Sequence, residues 1–165
     1  MKIEKAHAEM SPNLLRKALI WEGKMKMAKL PFAYTNVARV WQVHFALFAQ
    51  GRDTTENVNM YRAIAGMMSI PTSQNKQVTW TLESRHLVRL DDGRKANDKS
   101  SAFDFAIVKG RSTTWDVKAD VNSNNIEDYL EAGTLIKEAG LEWGGFWPKP
   151  DYCHGQLLWA ETDTI

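Results

Sequence analysis

The chain has little that could cross-link it, charge it or anchor it. It holds one cysteine, Cys153, so no disulfide can form within it, which fits a reducing compartment. Its 21 lysines and arginines nearly cancel 20 aspartates and glutamates, leaving a formal charge of +1. That is too small a net charge to argue for attraction to nucleic acid or to a membrane surface. No apolar run approaches the roughly 20 residues of a membrane-spanning helix. The opening Met1-Lys2-Ile3-Glu4-Lys5 continues polar and lacks the apolar core of a signal peptide. The expectation is a protein made in the cytoplasm and delivered by something other than a signal peptide if it acts elsewhere. No repeat, low-complexity tract or linker interrupts the 165 residues, a length that fits one domain, 1–165, with enough apolar and aromatic content for a real core.

What is present reads as helices followed by strands. Ser11-Pro12 marks a helix start, with Ser11 as N-cap and Pro12 at the first helical position. Leu14, Leu15, Ala18, Leu19 and Trp21 continue as an apolar stripe. The preceding segment, with His7, reads as a mobile polar stretch. After Pro31, Phe32 to Thr35 suits a short strand. A helix is expected over 40–50, with Val40, Val43, Leu47 and Phe48 inward and Gly51 at its end. Another is expected from Thr54-Thr55 to about Met68, with Met60, Ile64 and Met67 inward. From Gln77 the period becomes two: 78–82 and 87–90 read as strands, 91–101 as a polar loop, and 102–108 as the clearest buried strand. Thr113 to Val117 suits a partner strand. A capped helix follows from Asn124 or Asn125, with Ile126, Tyr129, Leu130, Gly133 and Ile136 as its stripe and Gly140 at its end. A last strand covers 155–159. This order argues for a small α+β domain, N-terminal helices packed on a mostly antiparallel sheet.

Chemistry concentrates in three places. Asp104 lies inside an apolar strand, where a carboxylate must be paired, hydrogen-bonded or bound to metal. His86 and His154 each border a polar motif at a strand end, whereas His44 sits mid-helix among apolar neighbours as a core residue. A catalytic zinc takes three ligands from histidine and carboxylate and keeps one position open for water, whose pKa it lowers. His86, Asp104 and His154 would supply that set. A separate carboxylate must then carry the proton. Asp151, three residues before His154, is placed for that task, although after Pro150 it reads equally well as a turn residue.

The ordered segments Ser84-Arg85-His86, Ser100-Ser101-Ala102-Phe103-Asp104-Phe105, Trp143-Gly144-Gly145-Phe146-Trp147 and Asp151-Tyr152-Cys153-His154 resemble the signature of the zinc D-alanyl-D-alanine carboxypeptidase family. More narrowly they resemble its phage endolysins, the L-alanyl-D-glutamate peptidases. Arg39 followed by Ala49-Gln50-Gly51-Arg52 resembles a further family segment. The resemblance implies a fold of the hedgehog and D,D-peptidase type and one Zn²⁺ held by His86, Asp104 and His154, with no other cofactor. It implies Asp151 as general base and Arg39 binding a substrate carboxylate or positioning the carbonyl. Ser84, Trp143 and Trp147 would line the substrate site, and Gly144 and Gly145 would allow a close turn. The partner so implied is the peptidoglycan stem peptide, met by a monomer that neither binds nucleic acid nor inserts into membrane. The enzyme would wait in the cytoplasm of the infected host until a holin opens the membrane. No separate wall-binding domain is expected. The alternatives are a D-alanyl-D-alanine carboxypeptidase or dipeptidase, and a non-catalytic domain on the same scaffold.

The chain departs from the family pattern at the first motif. A polar insert over 88–99 separates His86 from Asp104, Ser100 stands where the family has glycine, and Asp91, Asp92 and Asp98 are rival carboxylates. The insert reads as a solvated loop, a lid or a secondary cation site. Cys153, beside a ligand, reads better as a small buried residue than as a thiolate ligand.

Overall fold

The computed structural model describes residues 1–88 and 99–158. In chain order its elements are helices α1 (Ile3–Glu9) and α2 (Pro12–Met27), strand β1 (Phe32–Asn36), helices α3 (Trp41–Ala49) and α4 (Thr55–Ile64), strands β2 (Ala102–Lys109) and β3 (Ser112–Thr114), helix α5 (Asp128–Glu138), and strands β4 (Glu142–Trp143) and β5 (His154–Gln156). The class is α+β with a mostly antiparallel sheet, as the sequence predicts. No described helix is long and apolar enough to cross a membrane. The chain divides into two compact units, Met1–Ala38 with Lys99–Ile165, and Arg39–Asp98.

The first unit is a sheet of order β1-β2-β5-β4, with β3 also paired to β2. The long strand β2 is its axis. Its residues 102–107 are all buried, the near-continuous burial of a strand covered on both faces. Against it packs α2, opened as expected by the Ser11 side chain accepting from the Leu14 amide. The indole of Trp21 is fully buried among the rings of Phe32, Tyr34, Phe103 and Phe105, with centroids 4.5–6.0 Å away. Its Nε1–H donates to the Ala132 carbonyl of α5, so the indole is satisfied where it is buried. Leu19 is 50% exposed, unlike the rest of its predicted stripe, and the core face is completed by Lys17 and Met25. The Lys17 stem runs along the core and its Nζ reaches the Gly140 carbonyl at 2.7 Å, capping the C-terminal end of α5, where a cation is favoured.

Two further expectations fail in this unit. The N-terminal segment is the ordered helix α1, with Ala6 in the core and His7 Nε2 2.6 Å from Glu22 Oε1. Helix α5 begins at Asp128, and Ile126 and Leu130 are exposed while Tyr129, Gly133 and Ile136 are buried.

The second unit carries α3 and α4. The inward face of α3 is His44, Ala46 and Ala49 rather than the larger apolar residues, which are only half-buried. In α4 the buried residue is Val58, and Met60 and Ile64 face solvent. Residues 78–82 form no strand and Val78 and Trp80 are exposed. Alternation sets which way side chains point, but a strand also needs a ladder partner. Leu87 makes an isolated parallel bridge to Arg39. The expected strand over 87–90, the insert and its Asp91, Asp92 and Asp98 lie wholly or mainly outside the described residues.

Candidate metal centre

The register of the first unit puts three polar residues in one row across the sheet. Asn36 on β1 pairs with Asp104 on β2, and Asp104 pairs with His154 on β5. Residues directly opposite on neighbouring strands share a face, so the three side chains meet. His154 Nδ1 lies 3.0 Å from Asp104 Oδ1, and Asn36 Nδ2 donates to Asp104 Oδ2 at 3.3 Å. This answers the question raised by a carboxylate in an apolar strand: it is paired on both oxygens.

A second row fixes the imidazole. Gln156, two residues along the strand and so on the same face, accepts at Oε1 from His154 Nε2, 3.0 Å away. The Gln156 amide in turn donates through Nε2 to Glu142 Oε2 at 2.7 Å. The Trp147 indole donates to the other Glu142 oxygen, also at 2.7 Å. A carboxylate only accepts, so Glu142 dictates which way the Gln156 amide faces. The amide then requires a hydrogen on His154 Nε2. The nitrogen left for a metal is Nδ1, the one beside Asp104. Such outer contacts commonly fix the tautomer of a ligating histidine. Burial opposes the His154 cation, but the hydrogen bond and charge of Asp104 outweigh it, with Gln156 and Asp151 adding, so its pKa lies above the ordinary value.

Asp151 is carried on the turn just before β5. Its amide donates to the Gly144 carbonyl, and its own carbonyl accepts from the His154 amide. A Cβ on Gly144 would stand 2.6 Å from the Asp151 carbonyl oxygen, and one on Gly145 would stand 2.2 Å from the Trp143 ring. Both glycines are therefore required by close approach. The Cys153 thiol donates to Asp151 Oδ1 at 3.1 Å. Burial, then the charges of Asp104 and Asp151, push the thiol pKa far up, so Cys153 is held as the neutral thiol that donates this hydrogen bond. Trp143 is in the hydrophobic core, with its Nε1–H on the Tyr152 carbonyl. The half-buried Trp147 ring stands 5.1 Å from the His154 ring.

Arg39, Ser84 and His86 belong to the second unit. The Arg39 amide donates to the His86 carbonyl at 2.7 Å, and the Val88 amide donates to the Arg39 carbonyl. Ser84 Oγ accepts from the His86 amide at 3.3 Å, which gives this serine a local task in shaping the turn. His44 is fully buried, with Nε2 2.9 Å from the Thr81 carbonyl and Nδ1 without a partner. Its pKa is lowered, first by burial, with the charges of Arg39 and His86 adding.

Asp104 and His154 in the first unit and His86 in the second are buried and have the side-chain chemistry to hold a metal ion. The donors suit zinc. Ligands about 2.0–2.2 Å from a tetrahedral zinc stand about 3.3–3.5 Å apart. The Asp104–His154 pair, now 3.0 Å apart, needs to open by only a few tenths of an ångström. The residues that sequence reasoning missed are Asn36, Gln156 and Glu142. Of these only Gln156 had a signal, its two-residue spacing from His154 on a strand.

Comparison with known proteins points the same way. Residues 99–157 match the family model described as D-alanyl-D-alanine carboxypeptidase. The peptidoglycan L-alanyl-D-glutamate endopeptidase CwlK of Bacillus subtilis (strain 168) is 37% identical over 68 residues, which are 40% of this chain and 41% of that protein. The match thus spans well under half of the relative's length. The stretch that supplies Asp104, Asp151 and His154 is thus the part of the chain that is similar to the D-alanyl-D-alanine carboxypeptidase family.

Proposed function

We propose that the protein is a zinc-dependent peptidoglycan peptidase that hydrolyses the L-alanyl-D-glutamate bond of the stem peptide, and that it serves a phage as an endolysin. The observation that carries this reading is the Asp104–His154 pair, set in register by β2 and β5, with Asp151 anchored on the turn that leads into β5. In this reading Asp104, His154 and His86 hold the ion. Zn²⁺, when bound, supplies a Lewis acid that makes water a nucleophile at neutral pH and polarises the carbonyl.

The remaining work falls to the chain. The Asp151 carboxylate takes a proton from the attacking water and returns it to the leaving amine. The Cys153 thiol and the Gly144 carbonyl hold Asp151 in place. The Gln156–Glu142–Trp147 chain of hydrogen bonds holds His154 with Nδ1 forward. Arg39 is assigned the substrate carboxylate or the developing oxyanion. We further read the chain as one catalytic domain and a monomer, held in the host cytoplasm until the membrane opens. The endopeptidase activity of the Bacillus relative supports the L-alanyl-D-glutamate bond. The description of the matched family favours the alternative, removal of a terminal D-alanine.

Purified muropeptides, weighed after digestion, distinguish the two: release of the peptide from L-alanine supports the endopeptidase, and loss of one D-alanine identifies a carboxypeptidase. Metal analysis should find one zinc per chain, lost in Asp104→Ala, His154→Ala and His86→Ala. Asp151→Asn should keep the zinc and lose about 10²–10⁴-fold in turnover. Unchanged hydrolysis by that variant would sink the mechanism.

A further inference from the structure

The loop between β3 and α5 has no part in the chemistry above. Residues 116–131 carry Asp116, Asp120, Glu127, Asp128 and Glu131 against a single lysine, Lys118, in a chain whose overall charge is +1. The spacing is specific. Asp120, Asn122 and Asn124 alternate, Asn125 follows, and Glu131 closes the run eleven residues after Asp120. That is the order of a twelve-residue calcium loop, D-x-[DN]-x-[DN]-G-x₅-E, with asparagine in the glycine place. Glycine serves there because the sixth position turns sharply. Asn125 adopts the same left-handed backbone, φ 66°, which asparagine tolerates better than most residues.

The side chains of this run gather closely, with the two asparagine amides turned toward Glu131. Asp120 accepts from the amides of Asn124 and Asn125, at 3.0 and 2.9 Å. Asn124 Oδ1 accepts from the Ile126 amide. Glu131, one turn into α5, brings its Oε2 within 2.9 Å of Asn122 Nδ2 and 3.0 Å of Asn124 Nδ2. The third, fifth and twelfth positions therefore touch. Helix α5 starts at Asp128, the ninth position.

Two observations go beyond loop geometry. Asn122 Oδ1 is closed off from solvent and has no hydrogen-bond donor, a rare state for a buried oxygen that calls for an explanation such as an ion. Asp128 is fully buried, and both its oxygens share one donor, the Val121 amide. Its pKa is raised, first by burial, with the like charges of Asp120 and Glu131 adding and the Val121 hydrogen bond and Lys109 opposing. Among the described residues no ion pair to this buried carboxylate accompanies its one backbone donor.

We propose that Asp120, Asn122, Asn124, Asp128 and Glu131 form a binding site for a hard divalent cation of the calcium class. All its groups are oxygens, which suits Ca²⁺ and not zinc. The ion would tie the loop to the first turn of α5, the helix whose Gly133 packs on Trp143.

The test uses the full chain loaded with zinc, titrated with CaCl₂ or MgCl₂ and followed by calorimetry and thermal melting. Calcium should bind with a midpoint of about 10⁻⁵–10⁻³ M and raise the melting temperature, with magnesium weaker. Glu131→Gln and Asp120→Asn should weaken calcium binding by about tenfold or more, and Asn124→Ala should do so if either of those fails to fold. Absence of calcium-dependent heat and of any melting shift up to about 10 mM would overturn the proposal. So would equal affinity in the folded variants.

Discussion

Replacing Gly133 by alanine sets two known effects against each other. In an isolated helix the change is favourable by about 1 kcal/mol. Here the new Cβ would stand 2.2 Å from Cδ2 and 2.3 Å from Cε2 of Trp143. To reach ordinary contact the indole must retreat by about 1.5 Å, since carbon atoms pack at about 3.5–4.0 Å. It has nowhere to go, because a Cβ on Gly145 would be 2.2 Å from Cζ2 of the same ring. The indole occupies a slot between two glycines, pinned by its bond to the Tyr152 carbonyl and flanked by the Phe146 ring. Overpacking of this kind costs about 1–3 kcal/mol, and loss of the indole hydrogen bond adds about 1 kcal/mol. After the helix gain, the net is destabilisation by about 1–3 kcal/mol, or about 2–12 °C in melting temperature for a chain of this size. Urea unfolding of Gly133→Ala, Trp143→Leu and the double variant measures it. The double variant should show a coupling of about 1 kcal/mol or more, because the smaller side chain relieves the clash. A Gly133→Ala protein as stable as the parent, or more so, would show that helix propensity wins and that the slot is looser than described.

Two further predictions concern the polar residues. Gln156→Leu keeps the volume but strands His154 Nε2–H and one Glu142 oxygen, so zinc affinity, measured by chelator competition, should fall about 10–100-fold. An unchanged affinity in the folded variant would remove Gln156 from the site. His44 has a folded pKa below the ordinary 6.5, so the unfolded chain takes up its proton first as pH falls. Its contribution to stability is complete above about 6.5 and is lost as pH drops through that value towards the lower folded pKa. Denaturation midpoints at about pH 8 and pH 5 should therefore differ more for the parent than for His44→Gln, and an equal difference would refute the burial argument.

The sequence exposed the centre through an anomaly, Asp104 in an apolar strand, and through motif order. Its surroundings were hidden because Asn36 and Glu142 join it only through strand register, which no local pattern encodes. Period was legible in α4, but phase was not: Met60 and Ile64 are exposed and Val58 is buried. An apolar residue shows that a helix has a buried face somewhere and does not say which elements will cover it. The alternation at 78–82 misled for a related reason, as did the apparent polarity of the segment around His7.

The isolated bridge between Arg39 and Leu87 has a consequence for how the chain finds its fold. Strands β1 and β2 pair Asn36 with Asp104, so the sheet cannot form until the intervening loop closes. Closure cost grows as (3/2)RT ln n. Once Arg39 and Leu87 are joined, the effective loop shrinks from about 68 residues to about 20, and closing it costs about 1 kcal/mol less. A clasp of one bridge thus makes the central pairing behave as a far more local event. The segment that separates β1 from β2 in the sequence is thus a kinetic aid to folding as well as the bearer of Arg39 and His86.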